Sequence, residues 1–212
     1  MMLKKMIKKM LGMNNDQARV GEQAASFYDE RYANSEEYRK PYWQSRYYFL
    51  WTVVLDRLRH GSAKQLLEIG CGSGQFAELL QRDLPLGYKG LDISAEAIKQ
   101  ARAKGMKNFH FEEADALTSP LLSGNYDSVV CMEVLEHIEK DLELVTRIRP
   151  GARCLCTVPN FPYFSHVRYF ESEQQVQERY GHLFESLSVW GLAGSHRQGV
   201  IYFLLDGVRK SN

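Results

Sequence analysis

From Lys64 onward the chain alternates short β-rich runs with segments whose apolar residues recur every three or four positions. The first pattern predicts strands and the second predicts helices. The predicted strands are KQLLEIG, YKGLDI, NFHFEEA, YDSVVCM, ARCLCTVP, FESLSVWGL and VIYFLLDGV. The predicted helices are GQFAELLQRDL, SAEAIKQARAKG, EKDLELVTRIRPG and SEQQVQERYG. This alternation indicates an α/β fold whose parallel sheet carries helices on both faces. The last two strands follow each other directly, which predicts one antiparallel strand.

The N-terminal stretch MMLKKMIKKMLGMNN separates its apolar residues from its lysines with a helical period. We therefore predict an amphipathic helix over residues 1–15. It is too short to span a membrane and lacks the long apolar core of a secretory signal. Two interpretations stay open: a surface anchor for anionic lipid, or a terminal helix that packs on a partner or frays.

Two more helices are predicted over residues 16–34 and 41–60, so residues 16–62 form a helical segment before the main domain of residues 63–212. This segment is rich in aromatic residues. Some of them must pack on the core, and others suit the wall of a small-molecule pocket. We take Tyr28, Tyr32 and Tyr47 as candidate substrate contacts.

Composition narrows the function classes. Lys and Arg number 27 against 26 Asp and Glu, so the net charge gives no sign of a nucleic-acid partner. No apolar run is long enough to cross a bilayer. The four cysteines (Cys71, Cys131, Cys154 and Cys156) form no C-x-x-C pair, which favours reduced thiols over a zinc site. The expectation is a cytoplasmic protein with an optional peripheral membrane contact through its N-terminus.

The stretch LLEIGCGSGQF is the most informative one in the chain. A predicted strand runs into Gly70, Gly72 and Gly74, and a helix follows. Glycines at such a turn let a ligand lie against the backbone, and the helix N-terminus offers free N–H groups. The dinucleotide fingerprint G-x-G-x-x-G is not matched, because position 75 is Gln. Glu68 precedes the loop and would oppose a pyrophosphate, whereas a cationic ligand would tolerate it.

Acidic residues follow the next strands at ordinary spacings. Asp92 ends the second strand, where nucleoside-binding α/β folds place an acid on the ribose hydroxyls. Asp115 follows the third strand in EEADAL. A turn or cap residue would explain Asp92 taken alone. The ordered set of glycine loop, Asp92, Asp115 and the fourth strand indicates a nucleoside-containing ligand.

LLEIGCGSGQF, GLDIS, EEADAL, YDSVVCMEVLEHI and IRPGARCLCTVPN resemble the successive motifs of class I S-adenosylmethionine-dependent methyltransferases. The resemblance runs from about Gln65 to the C-terminus and is more specific for the superfamily than for a substrate. It implies a Rossmann-like seven-stranded sheet of order 3-2-1-4-5-7-6, with strand 7 antiparallel. It also implies S-adenosyl-L-methionine as the cofactor.

The resemblance assigns cofactor contacts residue by residue. The implied contacts are Glu68, Gly70, Cys71, Gly72 and Gly74 along the methionine part, Asp92 on the ribose, Ile93 against the adenine, Asp115 and Ala116 at the adenine amino edge, and Met132 and Glu133 beside the sulfonium. Arg46, with Tyr47 behind it, is the candidate partner for the cofactor carboxylate. That assignment rests on position and not on a motif.

The stretch EVLEHI places Glu133, Glu136 and His137 on one face if it is helical. In many of the methyltransferases that this sequence resembles, the first Glu of this element lies near the transfer site. Glu133 and His137 are therefore candidate bases. A similar E-x-x-E-H element binds metal in RNA ribose methyltransferases, with a further His that His182 of GHLFE would supply. The metal-free interpretation is favoured, in which Glu136 and His137 cap a helix.

The segment PNFPYFSHVRYF after the fifth strand has the Pro and aromatic content of an active-site lid. His166 is a third candidate base. Phe161 and Tyr163 are candidate substrate contacts, and Arg168 is a candidate partner for a substrate carboxylate or phosphate. Packing of His166 and Arg168 on neighbouring helices is the competing interpretation.

The sequence therefore favours methyl transfer to an oxygen or nitrogen of a small molecule. A metal-dependent RNA 2′-O-ribose methyltransferase is one alternative, although no basic stripe is visible. A non-catalytic cofactor-binding partner protein is another, because cofactor motifs do not prove turnover. NAD-dependent oxidoreduction is disfavoured by Gln75.

Overall fold

A computed structural model of the protein describes residues 21–61, 63–194 and 198–211. The amphipathic helix predicted over residues 1–15 lies outside these residues, so it stays a prediction. Within the described ranges, no helix combines the length and apolar character needed to cross a membrane.

Six α-helices and seven strands make up the regular structure of the described ranges. The helices are α1 Ala25–Asn34, α2 Tyr48–His60, α3 Gln75–Asp83, α4 Ala95–Ala103, α5 Asp141–Arg147 and α6 Glu173–Tyr180. The strands are β1 Gln65–Ile69, β2 Gly87–Asp92, β3 Phe109–Glu113, β4 Ser128–Met132, β5 Arg153–Pro159, β6 Phe184–Ala193 and β7 Ile201–Arg209. Short 3₁₀ turns lie at Glu36–Arg39, Tyr42–Gln44, Pro120–Ser123, Leu135–His137 and Gly181–Leu183.

The strands form one sheet in the order β3-β2-β1-β4-β5-β7-β6. Strands β1 to β5 pair in parallel, whereas β7 runs antiparallel to both β5 and β6. The predicted α/β fold class and strand order are thus confirmed.

The central strands are buried on both faces, which explains their continuous apolar runs. In β1, Leu66 packs into the core layer on one face of the sheet, while Leu67 packs into the layer on the other. Val129 and Val130 of β4 divide between the same two layers. Ile69 of β1 lies beside both Leu91 of β2 and Cys131 of β4. The loops after these three strands therefore emerge together at one edge of the sheet.

Helix α1 covers that edge through polar contacts. The Asp29 carboxylate accepts hydrogen bonds from the Ser94 hydroxyl at 2.7 Å and from the Glu96 N–H at 3.1 Å. Gln100 of α4 donates a side-chain hydrogen bond to the Tyr32 carbonyl at 3.0 Å. No residue of α1 is buried.

Three helix predictions need correction. The helix predicted over residues 16–34 is not helical over residues 21–24 and begins at Ala25 within the described residues. The helix predicted over residues 41–60 is interrupted at Ser45, whose backbone is extended with ψ of 141° and whose hydroxyl accepts from the Tyr47 N–H. Helix α2 therefore begins only at Tyr48, and Arg46 lies in the turn before it. The helical face predicted to join Glu133 to Glu136 is also absent, because Glu133 has φ of 56° and precedes a single 3₁₀ turn.

Candidate active site

A cavity of about 530 Å³ opens where β1, β2 and β4 end. Helix α1 and the segment after β5 form its other walls. Its size lies within the range of small-molecule sites. Every candidate cofactor contact except Gly74 lines it. The predicted substrate contacts Tyr28, Tyr32, Tyr47, Phe161 and Tyr163 also line it. The cavity thus brings together residues from distant parts of the sequence, while their individual roles stay predictions.

The glycine loop packs so closely against its neighbours that two of its positions have no room for a side chain. Gly70 has φ of +75° and Gly72 has φ of +52°, both left-handed values that favour glycine. A Cβ on Gly70 would lie 2.3 Å from a methyl group of Val134, and one on Gly72 would lie 2.7 Å from the Tyr32 hydroxyl. Glycine at these two positions therefore lets the loop backbone pack against Val134 and Tyr32 at the wall of the cavity.

Gly74 has a different role from the one predicted. It precedes α3 with φ of +74°, and a Cβ there would lie 3.0 Å from Met106 and 3.2 Å from the Cβ of Ala101. It does not line the cavity. The predicted cofactor contact is therefore corrected: Gly74 allows α3 and α4 to pack closely.

Asp92 is held rigidly at the end of β2. One carboxylate oxygen accepts from the Gly72 N–H at 2.9 Å and the other accepts from the Ser94 N–H at 2.9 Å. Burial nevertheless raises the pKa of Asp92 to about 6, because it disfavours the charged form more than the two N–H donors favour it. Each carboxylate oxygen keeps a lone pair for a ligand hydroxyl.

Glu68 lies deeper in the same wall and is buried. It accepts a hydrogen bond from the Tyr88 hydroxyl. Burial raises the pKa of Glu68 to about 8, with a smaller contribution from the nearby Asp92 carboxylate. Glu68 is therefore mostly protonated at neutral pH before a ligand arrives.

Opposite Asp92 and Glu68, the wall of the cavity is mainly apolar. Ile93 and Ala116 face it from the loops after β2 and β3, and Met132 faces it from the end of β4. Asp115 also lines it and accepts from the Leu117 N–H at 2.8 Å. An apolar slot flanked by a carboxylate suits a flat heteroaromatic ring with an amino edge.

Glu133 lies between two parts of the cavity. The cofactor half is lined by the glycine loop and Asp92, and the acceptor half is lined by Tyr28, Tyr47, Phe161 and Tyr163. The Glu133 N–H donates to the Thr157 hydroxyl at 3.1 Å, and that hydroxyl lies 3.0 Å from the Glu133 carboxylate Oε1. Enclosure away from bulk water raises the pKa of Glu133 to about 8, although Arg46 acts in the opposite direction. A carboxylate with this pKa can accept a proton near neutral pH.

Glu136, His137 and His166 gather beside Glu133, with one ligand atom from each lying within 4.8 Å of the others. His182 does not join this group; it is exposed in the Gly181–Leu183 turn. The alternative metal set that includes His182 is therefore not assembled among the described residues. His166 takes that place because the segment after β5 folds back over the loop after β4.

Arg168 does not line the cavity, so its predicted substrate contact is corrected. Its guanidinium donates to the carbonyls of Leu135 at 2.6 Å, Ile138 at 2.5 Å and Glu139 at 3.0 Å. It also pairs with Asp141 at 3.3 Å. Arg168 thus ties the segment after β5 to the loop after β4.

Tyr38 and Tyr202 line the cavity as well, although no sequence pattern predicted them as site residues. Burial and the Glu133 carboxylate both raise the pKa of Tyr202. Tyr202 belongs to β7, which lies next to β5, so the predicted strand order contained a signal for it. Tyr38 follows α1 in a turn that no sequence pattern marked.

Comparisons with known proteins agree with this geometry. The family model described as "Methyltransferase domain" matches residues 67–155. A ubiquinone biosynthesis O-methyltransferase of Burkholderia orbicola is 32% identical over 105 residues, which is 46% of this chain and 45% of that protein. The chain thus spans less than half the length of this relative.

Solved structures show the same fold at low identity. Magnesium protoporphyrin IX methyltransferase from Synechocystis with bound SAH has a TM-score of 0.68 at 17% identity, over 87% of this chain and 99% of that one. A (4+2)-cyclase has a TM-score of 0.57 at 17% identity, over 70% and 76%. One fold therefore supports different chemistry, and the site must carry the argument for function.

Proposed function

Since this chain contains a class I S-adenosylmethionine-dependent methyltransferase domain, we propose that it transfers a methyl group from S-adenosylmethionine to a small molecule, on oxygen in preference to nitrogen. The observation that carries the proposal is the single cavity that joins the glycine loop and Asp92 to Glu133.

The residues that line the cofactor half of the cavity suit S-adenosylmethionine. Gly70 and Gly72 bring loop backbone, without side chains, to the wall of the cavity. Asp92 presents two fixed carboxylate oxygens for a ribose diol, and Arg46 offers a guanidinium for the cofactor carboxylate. When bound, the cofactor supplies an activated methyl group on a sulfonium.

The acceptor half explains why we propose a small apolar or aromatic acceptor. Tyr28, Tyr47, Phe161 and Tyr163 present ring surfaces to the cavity. Glu133 lies among them with a pKa of about 8, so its carboxylate can take the proton from a hydroxyl whose own pKa is somewhat higher. Phenols meet that description, and the relatives that resemble this chain in sequence include O-methyltransferases.

Cofactor binding is tested by calorimetry with S-adenosylmethionine and its demethylated product. Asp92→Ala should weaken binding by about 1–3 kcal/mol, because it removes charge-assisted hydrogen bonds to the ribose. Asp56→Ala is the matched control, since Asp56 is an exposed residue of α2. Unchanged affinity in Asp92→Ala would overturn the cofactor site.

Methyl transfer is tested with labelled cofactor against pairs of catechols and matched anilines, followed by a metabolite extract. Labelled products from the hydroxyl members support the proposal, and labelled anilines would reassign the acceptor to nitrogen. Tight cofactor binding with no labelled product from any source would contradict enzymatic activity and favour the non-catalytic alternative.

A further inference from the structure

We propose that Glu136, His137 and His166 form a binding site for a divalent transition-metal ion at the acceptor end of the cavity. One carboxylate and two imidazoles converge there, with their ligand atoms within 4.8 Å of one another. All three residues line the cavity.

Glu136 provides an observation independent of the clustering. The residue is fully buried, and neither carboxylate oxygen has a hydrogen-bond partner among the residues that the structure describes. Burying a carboxyl group without partners is costly, and such groups in folded proteins are normally satisfied. A bound cation would satisfy both oxygens. Without a cation, burial and the nearby Glu133 raise the pKa of Glu136 well above its ordinary value.

The two histidines are already oriented as ligands. The Nδ1 atom of His137 lies 3.0 Å from the Ser165 carbonyl oxygen, and the Nδ1 atom of His166 lies 3.1 Å from the Phe161 carbonyl oxygen. A carbonyl oxygen only accepts, so both Nδ1 atoms carry the proton and both Nε2 atoms keep a lone pair. This arrangement is the usual one around metal-binding histidines.

The Nε2 atom of His137 lies 3.8 Å from Oε1 of Glu136, so an ion between them needs only a small adjustment. Burial lowers the pKa of His137 to about 4 and that of His166 to about 3. Both imidazoles are therefore neutral at pH 7, which is the form that binds metal.

The segments that carry the ligands are tied together. The Val167 N–H donates to the Glu136 carbonyl at 2.8 Å. Arg168 donates to the carbonyls on either side of that residue, from Leu135 and Ile138. These contacts hold the loop after β4 against the segment after β5. The backbone that carries the ligands is therefore held in place without the metal.

Two imidazoles and one carboxylate favour Zn²⁺, Mn²⁺, Fe²⁺ or Co²⁺ over Ca²⁺ or Mg²⁺, which prefer oxygen ligands. Three protein ligands leave coordination positions open toward the cavity. An acceptor oxygen can occupy such a position, and this role rests on the proposed function. Metal binding itself does not depend on it.

The test uses the full chain after removal of metal with a chelator. Zn²⁺ is titrated by calorimetry and Co²⁺ by visible absorption, with one ion per chain expected. Glu136→Gln, His137→Ala and His166→Ala should each lower the affinity by about 10-fold or more. His182→Ala and His110→Ala should leave it unchanged, because both residues are exposed and outside the cluster.

Absence of saturable 1:1 binding, or unchanged affinity in all three ligand variants, would overturn the site. Circular dichroism checks folding, and the near-isosteric Glu136→Gln decides the question if a histidine variant does not fold. Measuring both metal binding and methyl transfer separates this proposal from the proposed function. Metal binding without methyl transfer would support the metal site and contradict the proposed function. Methyl transfer in a protein that binds no metal would contradict the metal site and support the proposed function.

Discussion

For Glu133, the sequence predicts the position of the residue but not its backbone conformation. Its position at the end of β4 could be predicted from the motif. Its left-handed backbone could not, because nothing in the local sequence favours φ of 56° for Glu. That conformation costs about 1–2 kcal/mol and is held by Thr157 on the neighbouring strand. Strain that tertiary contacts maintain in this way is common at functional positions.

Glu133→Gln should lower the turnover rate by about 100-fold and leave cofactor affinity almost unchanged, because it removes the proton acceptor but keeps the shape. Steady-state kinetics across pH give a second readout. The active form is deprotonated, so kcat/KM of the unaltered protein should rise until the pH passes about 8. Glu185→Gln, an exposed change on β6, should keep that rise. Full activity in Glu133→Gln would show that another group accepts the proton.

Glu68 predicts a pH dependence of stability. Its pKa is about 8 in the folded protein and ordinarily 4.5, so the folded state holds a proton that the unfolded chain has lost. This contribution to stability is complete below about pH 4.5 and disappears as the pH rises through about 8. The unaltered protein should therefore lose more unfolding free energy than Glu68→Gln over that range, by about 1.4 kcal/mol per unit of pKa difference.

Urea unfolding of both proteins without cofactor, at a series of pH values, measures this difference. Because the two chains differ only at Glu68, titrating groups that do not interact with Glu68 cancel, and the smaller effect of the nearby Asp92 is part of the measured difference. Parallel curves for the two proteins would show that Glu68 is ionised in the folded state.

At the scale of elements, strands were predicted better than helices. Strands buried on both faces must be continuous apolar runs, so their sequences identify them. The predicted helix over residues 41–60 failed at Ser45, where a side-chain hydrogen bond competes with the helix. His166 could not be distinguished from His182 as a neighbour of His137, because that choice depends on how the segment after β5 folds back.

The loop between β1 and α3 gives a paired prediction. Gly72→Ala and Gly74→Ala both force a side chain into a left-handed backbone, which costs about 1–2 kcal/mol of stability. Only Gly72→Ala should also weaken cofactor binding, because only Gly72 lines the cavity. Thermal unfolding and cofactor calorimetry on both variants check this. Equal loss of cofactor affinity would return Gly74 to the ligand site.

For the whole molecule, the lysine-rich N-terminus is the segment that we expect to govern any membrane association. We propose that residues 1–15 bind anionic lipid surfaces, because their lysines and apolar residues separate with a helical period. Removing residues 1–13 should abolish sedimentation with anionic vesicles and leave thermal unfolding unchanged. Neutral vesicles are the control, and replacing Lys4, Lys5, Lys8 and Lys9 with Gln should mimic the truncation. Equal sedimentation of full-length and truncated protein would contradict the anchor.

The contacts that attach α1 affect how often this helix can open and how fast product can leave. Asp29 and Tyr32 connect this helix to α4 by hydrogen bonds, no residue of α1 is fully buried, and Phe27 adds one edge-on ring contact with Phe164. Water can replace each of those bonds at a net cost of about 1 kcal/mol. We therefore expect α1 to open and close often while the sheet stays intact. Product would then leave by that route, and the rate at which α1 moves would limit how fast successive molecules pass through the site.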